Sequence, residues 1–398
     1  MKYFLQTACA AALIGLSGNV YAAQNGINYD PAHNPNWNQF QRGAKLDEMK
    51  RIITNDLAQI KKMGFTAIKT YYSAYCTNEP RCIDIADFVQ SLYPNGDLKV
   101  MLGVFEFTLQ LDKNSCNNGK GPSETNCLAW TQAQIKSATT QAKKLNDKGT
   151  ILGIVVGNED MFDFRGDLLN NTLCFGDKKN KQNEQKCNMI QRIVDDIQDI
   201  QGEVPDSLKD KVTTAQRQPD WCGGSDPGCA SNRNNSLNQT TDGANLLKTI
   251  SAAGVNIFPY WSPNFLKETE CNPADPTKKG DQSQALCTQP TAQNVLNALT
   301  KVSGNKVTKV IVTEEGWPSC NSSSQNPTNQ SSENDYYKNW QVHKDQMFDS
   351  YYFMAYDLAP PVCPTDPNGD PNDANCHFGL CKANGDDKTG SDIKPSCK

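Results

Sequence analysis

Short apolar runs and longer amphipathic stretches alternate along this chain. The apolar runs predict eight strands, at residues 25–30, 66–72, 99–107, 151–159, 211–217, 254–261, 309–317 and 350–358. Most of these runs are nearly continuous, without a clean alternation of apolar and polar positions. Such runs are typical of strands that are buried on both faces of a parallel sheet.

The stretches between the strands have the periodicity of helices. In residues 47–64, six apolar side chains fall on one helical face: Met49, Ile52, Ile53, Leu57, Ile60 and Met63. Gly64 then predicts the end of that helix. Eight strands alternating with helices predict parallel pairing and right-handed crossovers, for which a (β/α)8 TIM barrel is the economical arrangement. A doubly wound open sheet is the alternative, but no glycine-rich phosphate loop follows the first strand.

The N-terminus has the features of a secretory signal. Lys2 is followed by an apolar stretch over residues 3–16, and Val20-Tyr21-Ala22 offers a small-residue cleavage site. We therefore expect residues 1–22 to be a signal peptide and residues 23–398 to form one catalytic domain with a cysteine-bearing tail. No stretch is long and apolar enough to predict a membrane span. The protein is expected outside the cell, in the periplasm or in the cell wall.

Cysteine usage also predicts an oxidising compartment. Of sixteen cysteines, Cys9 lies in the signal, which leaves fifteen in the mature chain. Cysteines close in sequence predict disulfides that staple loops: Cys76–Cys82, Cys116–Cys127, Cys174–Cys187, Cys222–Cys229 and Cys271–Cys287. The odd number leaves one unpaired within the chain, and Cys320, Cys363, Cys376, Cys381 and Cys397 stay unassigned. No Cys-x-x-Cys occurs and there are three histidines, which argues against a zinc site, including one at Cys376 and His377.

The net charge and the lengths of the loops bear on the type of partner and on the position of an active site. The formal net charge is −5, and no basic stripe stands out, which argues against nucleic acid as the main partner. Long polar segments follow the second to sixth predicted strands. In a barrel, these strand-to-helix loops build the C-terminal face, where active sites lie.

Two predicted strands end in acidic residues. Strand four ends in "GIVVGNED" (153–160), with Asn158 and Glu159, and strand seven contains "VTEEGWPSC" (312–320), with Glu314 and Glu315. Neighbouring side chains of a strand point to opposite faces, so only one of the two adjacent glutamates can face a given site. Strands four and seven of an eight-stranded barrel face each other across its mouth. A carboxyl pair across a cleft is what a retaining glycosidase needs.

Short segments spread along the mature chain resemble glycoside hydrolase family 17, the β-1,3-glucanases and glucan transglycosylases. They are "GINYDP", "IKTYY", "VVGNE", "VTTA", "GVNIFPYW", "VTEEGWPS" and "HFGLCKANG". The family's Glu-x-Gly-Trp-Pro pattern implies that Glu314 is the nucleophile and that Glu315 fills the variable position. Its Gly-Asn-Glu motif implies that Glu159 is the acid/base. The resemblance implies two-carboxylate chemistry, which needs neither cofactor nor metal.

The resemblance also implies a set of substrate-binding residues: Asn158, Tyr71, Tyr260, Trp261 and Trp317. For the aromatic residues, packing in the core is the alternative. The chain departs from the family at Lys69, where an arginine is usual. It departs again in the eighth strand, where Met354 and Leu358 stand in place of two glutamates.

Taken together, these features predict a secreted, monomeric, retaining glycoside hydrolase that acts on β-1,3-glucan polysaccharide or oligosaccharide. A transglycosylase that passes the glycosyl-enzyme to a sugar acceptor is the alternative within the same chemistry. A catalytically dead glucan-binding surface protein is a further alternative, but such barrels usually lose a carboxylate, and Glu159 and Glu314 are both present.

Overall fold

Eight parallel strands form a closed barrel in the computed structural model, which confirms the predicted fold class. The structure describes residues 25–37, 45–76, 82–107, 123–160, 189–222, 237, 241–261, 285–320, 330–344, 348–358 and 374–388. The barrel strands are β1 (Asn25–Asn28), β2 (Ala67–Lys69), β3 (Lys99–Val104), β4 (Ile151–Asn158), β5 (Val212–Arg217), β6 (Ala252–Asn256), β7 (Lys309–Glu315) and β8 (Ser350–Tyr352). Each strand pairs with the next along the chain, and β8 pairs with β1 to close the barrel.

Helices pack around the outside of the barrel. The described ones are α1 (Leu46–Lys62), α2 (Ile85–Leu92), α3 (Glu124–Lys144), α4 (Met189–Glu203), α5 (Asp206–Lys209), α6 (Gln218–Trp221), α7 (Thr241–Thr249), α8 (Ala285–Val302) and α9 (Gln330–His343). In α1 the predicted apolar face is buried from Met49 to Ile60, as is Met63 at its end. Gly64 follows with a φ of +87°, a conformation in which glycine lacks the steric cost of a Cβ atom.

Apolar side chains fill the lower part of the barrel. They form a cluster inside the strands: Ala67, Met101, Val155, Ala215, Ala252, Ile311 and Tyr351. The Tyr351 ring lies over Gly26, where an added Cβ would come within 2.5 Å of the ring. The C-terminal strand ends carry polar residues instead. The packed lower layer therefore supports a polar site at the mouth of the barrel.

Most strands end before their predicted ends, and the difference is largest for β6 and β8. Strand β6 ends at Asn256, and Pro259–Trp261 forms a 3₁₀ turn, because Pro259 has no N–H to donate to a sheet. Strand β8 ends at Tyr352, and a cis peptide bond follows between Phe353 and Met354. An antiparallel hairpin that the sequence pattern did not predict, Ala74–Cys76 with Cys82–Asp84, follows β2.

The predicted disulfide between Cys76 and Cys82 is present and closes this hairpin. Four other described cysteines, Cys127, Cys222, Cys376 and Cys381, are also disulfide-bonded. The predicted partners Cys116 and Cys229 lie outside the described residues, as do Cys174, Cys187 and Cys271. Because Cys376 is in a disulfide, it cannot serve as the thiolate ligand of a zinc ion beside His377.

Removing the hairpin disulfide should lower stability modestly. A cross-link across a loop this short contributes about 2 kcal/mol in the chain-entropy model. We therefore expect Cys76→Ser/Cys82→Ser to lower the free energy of unfolding by roughly that amount, measured by urea titration under oxidising conditions. An unchanged unfolding midpoint would show that the cross-link does not stabilise the fold.

The predicted signal peptide, residues 1–22, lies outside the described residues. Within the described part of the chain, no helix combines the length and the apolar character needed to cross a bilayer. The described His, Cys, Asp and Glu side chains also include no group of three or more that could hold a metal ion.

Candidate active site

The C-terminal ends of five strands bring polar side chains together at the mouth of the barrel. They are Asn28 on β1, Lys69 on β2, Asn158 on β4, Asn256 on β6 and Glu314 on β7. All the strands run parallel, so these ends lie on the same side of the barrel. This is the face where the active sites of (β/α)8 barrels are built.

Glu314 is buried, and one of its carboxyl oxygens accepts two hydrogen bonds. Lys69 Nζ lies 2.9 Å from Glu314 Oε1, and the Tyr71 hydroxyl donates to the same oxygen at 2.8 Å. The Lys69 ammonium also lies 4.3 Å from the centre of the Tyr71 ring. Burial, and then the negative charge of Glu314, raise the pKa of Tyr71 well above its usual value, so the phenol stays a donor. The ammonium and the phenol together compensate the charge of an ionised Glu314.

Glu159 directly follows β4 in an unusual backbone conformation. Its φ is +61°, in the left-handed region that few residues other than glycine adopt. The Glu159 N–H donates to the Ala215 carbonyl at 2.9 Å, which ties this turn to β5. Such conformations persist where the surrounding structure holds them, often at functional sites. The fold thus directs the Glu159 side chain into the mouth.

A chain of hydrogen bonds connects the two glutamates. Asn256 Nδ2 donates to Glu159 Oε1 at 2.9 Å and lies 3.4 Å from Asn158 Oδ1. Asn158 Oδ1 in turn accepts from Lys69 Nζ at 3.2 Å, and Lys69 binds Glu314. The Thr313 hydroxyl donates to Asn256 Oδ1 at 2.7 Å and so fixes the orientation of the Asn256 amide. Asn256 and Lys69 therefore position both carboxyl groups.

Glu315 points to the opposite side of β7, as strand alternation requires. It is 1% exposed and accepts hydrogen bonds from Ser350 and from Tyr336 of α9, in the layer between sheet and helices. Neither of the adjacent glutamates is a solvent-exposed acid, since Glu314 is also only 3% exposed. Burial raises the pKa of Glu315 to about 7, against hydrogen bonds that lower it, the largest contribution being that of Ser350.

This raised pKa predicts a pH dependence of stability. Between pH 4.5 and 7, Glu315 is protonated in the folded protein and ionised in the unfolded chain, so its contribution to stability falls as the pH rises. The loss amounts to about 3 kcal/mol, at 1.36 kcal/mol for each pKa unit. Glu315→Gln cannot ionise, so we expect its free energy of unfolding to decline less across this range in denaturant titrations.

The exposed Glu203, paired with Lys143 on the surface, provides the matched control. Glu203→Gln should leave the pH dependence close to that of the unsubstituted protein. Identical pH profiles for Glu315→Gln and Glu203→Gln would contradict the assignment of a buried, protonated Glu315.

The mouth opens into a cleft of about 740 Å³. Among the predicted site residues, Tyr71, Asn158, Glu159, Trp261 and Glu314 line it. Trp261 is 50% exposed, which suits an aromatic face for the apolar C–H surface of a sugar. Further aromatic residues line the cleft that the sequence analysis did not single out: Tyr72, Phe105, Phe258, Phe353 and Phe378.

Tyr260 and Trp317 lie behind the cleft lining. Both are buried, and their rings meet edge to face at 5.3 Å. Trp317 also stacks on Tyr336 at 5.8 Å, beneath the strand that carries Glu314. In this arrangement the two residues support the cleft wall through packing. Tyr260 also contacts Trp261, with ring centres 4.6 Å apart, and so helps to hold the exposed indole.

Solved structures with this fold include several enzymes that act on β-glucans. An endo-laminarinase from Formosa Hel1_33_131 has a TM-score of 0.55 at 15% identity, covering 92% of this chain and 85% of its own. A glycoside hydrolase family 17 β-1,3-glucanosyltransferase from Rhizomucor miehei has a TM-score of 0.51 at 19% identity, with 93% and 97% covered. The Cryptomeria japonica pollen β-1,3-glucanase CJP38 has a TM-score of 0.52 at 17% identity, with 90% and 96% covered.

No family model and no curated protein matches this sequence. The structural likeness extends over nine-tenths of the chain, but at identities of 15–19% it is a likeness of fold. The chain thus shares its barrel architecture, over nearly its whole length, with an endo-laminarinase, a β-1,3-glucanase and a β-1,3-glucanosyltransferase.

Proposed function

We propose that this protein is a secreted retaining glycoside hydrolase that cleaves β-1,3-glucan by double displacement. The observation that carries the proposal is that Glu159, directly after β4, and Glu314, near the end of β7, line one cleft and are joined by a hydrogen-bond chain. The two glutamates have different hydrogen-bond partners, which suits the different roles of nucleophile and acid/base. Glu314 is held by an ammonium and a phenol, as an ionised nucleophile requires, whereas Glu159 accepts from the amide of Asn256.

In the first step, the Glu314 carboxylate attacks the anomeric carbon of the bound sugar. Protonated Glu159 gives its proton to the glycosidic oxygen, the bond to the leaving sugar breaks, and a glycosyl ester forms on Glu314. In the second step, Glu159 takes a proton from water while the water oxygen attacks the anomeric carbon and displaces Glu314. Two inversions return the original β configuration. This mechanism requires the two carboxyl groups to lie about 5–5.5 Å apart.

Substrate binding is assigned to the cleft lining. Asn158 accepts from Lys69 through its amide oxygen, so its amide nitrogen is the group that would donate to the sugar 2-hydroxyl. Trp261 offers an exposed aromatic face for a sugar ring. The assignment to β-1,3-linked glucan is supported by the fold shared with a laminarinase and a β-1,3-glucanase. Secretion is supported by the disulfides, which form in oxidising compartments.

Transfer to a sugar acceptor is the second candidate, because one solved structure with this fold is a β-1,3-glucanosyltransferase. Both activities share the glycosyl-enzyme and differ in what attacks it. Digestion of laminarin with and without added oligosaccharide acceptors, followed by mass analysis, separates them. Hydrolysis gives products shorter than the substrate, whereas transfer also gives longer ones when acceptor is present.

Linkage specificity is tested with a panel of β-1,3-, β-1,4-, β-1,6- and mixed-linkage glucans under the same conditions. We expect turnover of the β-1,3-linked polymer and little of the others, with Glu314→Gln as the inactive control. Preferred cleavage of another linkage would contradict the proposed substrate. Binding of glucan without turnover after long incubation would contradict the proposed enzyme.

A further inference from the structure

The C-terminal segment 374–388 forms part of the cleft wall. Asn375 and Phe378 of this segment line the cleft beside Met354 and Leu358, which follow β8. The Phe378 ring lies 5.4 Å from that of Phe353 and edge to face at 5.5 Å from that of Phe258, both also cleft residues. Apart from Asn375, the side chains of this wall are apolar. The carboxyl groups of Glu159 and Glu314 lie in the polar part of the cleft.

Backbone hydrogen bonds hold the C-terminal segment against the residues that follow β8. Met354 N–H donates to the Phe378 carbonyl at 3.1 Å, and Leu380 N–H donates to the Met354 carbonyl at 3.0 Å. At Gly379, an added Cβ would lie 1.9 Å from the Asp357 nitrogen, so the two backbones are in close contact. The position of Phe378 therefore depends on these contacts with Met354 and Asp357, in addition to the disulfides of Cys376 and Cys381 in the same segment.

Lys388 fastens this segment through a buried ion cluster. Its ammonium lies 3.0 Å from Glu333 Oε1 on α9 and 2.9 Å from Asp357 Oδ1. It also donates to the Ser319 hydroxyl, which follows β7, at 2.8 Å. Asp357 Oδ1 accepts in addition from the N–H of Gly379, the residue next to Phe378, at 2.9 Å. One side chain thus links the segment to α9, to β7 and to the chain after β8.

The charges in this cluster favour a protonated Lys388. The side chain is only 6% exposed, and burial by itself would lower its pKa. The carboxylates of Glu333 and Asp357 outweigh that effect together, and the pKa of Lys388 is raised. A buried ammonium in contact with two carboxyl groups leaves few alternative arrangements, because each group would lose its buried partner on moving.

We propose that Lys388 is a positioning residue for substrate binding: its ammonium, held by Glu333 and Asp357, fixes the segment that carries Phe378 in the cleft wall. The inference rests on the proposed β-glucan activity and assigns a part of its binding site to the C-terminal segment. Lys388 itself does not line the cleft, so it acts on bound sugar through Phe378.

Binding measurements on a variant that cannot turn over substrate test this inference. In the Glu314→Gln background, β-1,3-linked glucose oligosaccharides of increasing length are titrated by calorimetry. Adding Lys388→Met should weaken binding roughly tenfold, which corresponds to about 1.4 kcal/mol of binding free energy, since Phe378 would no longer be held in place in the cleft wall. Lys382→Met, at an exposed lysine of the same segment, is the matched control and should leave binding unchanged.

A double-mutant cycle separates positioning from general destabilisation. If Lys388 acts through Phe378, Phe378→Ala should weaken binding to a similar extent, and Lys388→Met/Phe378→Ala should be no worse than either single variant. Additive effects would overturn the proposal. Asp357→Asn is the milder second variant, since it keeps the side-chain volume and leaves Lys388 its bond to Glu333. It should also weaken binding, and it decides the question if Lys388→Met does not fold.

Different results would contradict the proposed function and the role of Lys388. If the Glu314→Gln parent binds no β-1,3-glucan oligosaccharide, the proposed function is wrong and the role of Lys388 falls with it. If the parent binds and the folded Lys388→Met and Asp357→Asn variants bind within twofold of it, the proposed function stands and the role of Lys388 is wrong.

Discussion

Replacing Glu314 with glutamine should reduce turnover of β-1,3-glucan by a factor on the order of 10⁴–10⁶, the loss expected when a nucleophile is removed. The substitution keeps the volume of the side chain and its acceptor oxygen for Lys69 and Tyr71, so the fold should be retained. The measurement is the initial rate of laminarin hydrolysis, with circular dichroism as the check on folding. Glu315→Gln is the matched control and should retain most of the activity, because Glu315 faces the helix layer.

The alanine variant at the same position gives a stereochemical test. Glu314→Ala leaves space on the side from which the nucleophile attacks, and a small anion such as azide can enter it. One displacement by azide on a substrate with a good leaving group should give the product of inverted configuration. Loss of activity in Glu315→Gln with retention of activity in Glu314→Gln would reverse the assignment of the two glutamates.

Replacing Glu159 with alanine should reduce turnover of unactivated glucan by about 10²–10⁴-fold, the usual contribution of a general acid–base. The defect should depend on the leaving group, since a good one needs no proton. With an activated aryl glycoside, the glycosyl-enzyme still forms on Glu314, and azide should then restore turnover with retention at the anomeric carbon. Equal losses on activated and unactivated substrates, without rescue by azide, would contradict the acid/base role.

Much of this architecture follows from local sequence features. Apolar runs of strand length predicted the eight strands, because buried parallel strands need side chains that are apolar on both faces. Alternation along β7 predicted that Glu314 and Glu315 face opposite sides, and the structure confirms this separation. Alternation alone could not say which one faces the mouth, since that depends on the register of β7 within the barrel.

The contacts that position the site could not be read from local patterns. Asn256 is one polar residue in an apolar run, and its partners Glu159 and Thr313 are distant in sequence. The length of β8 was overestimated because the apolar run continues to Tyr356, whereas the chain leaves the barrel after Tyr352. Phe378 reaches the cleft only because the C-terminal segment folds back onto β8. Such contacts depend on how distant segments pack.

The central claim is that Glu314 carries the glycosyl group between the two steps. A 2-deoxy-2-fluoroglucoside with a good leaving group slows the second step more than the first and so accumulates the covalent intermediate. Incubation with this reagent, digestion and mass spectrometry with fragmentation locate the added sugar on a single residue. We predict one added fluoroglucosyl group on Glu314, and none in Glu314→Gln. A group on Glu315 or Glu159, or active enzyme that never becomes labelled, would contradict this account.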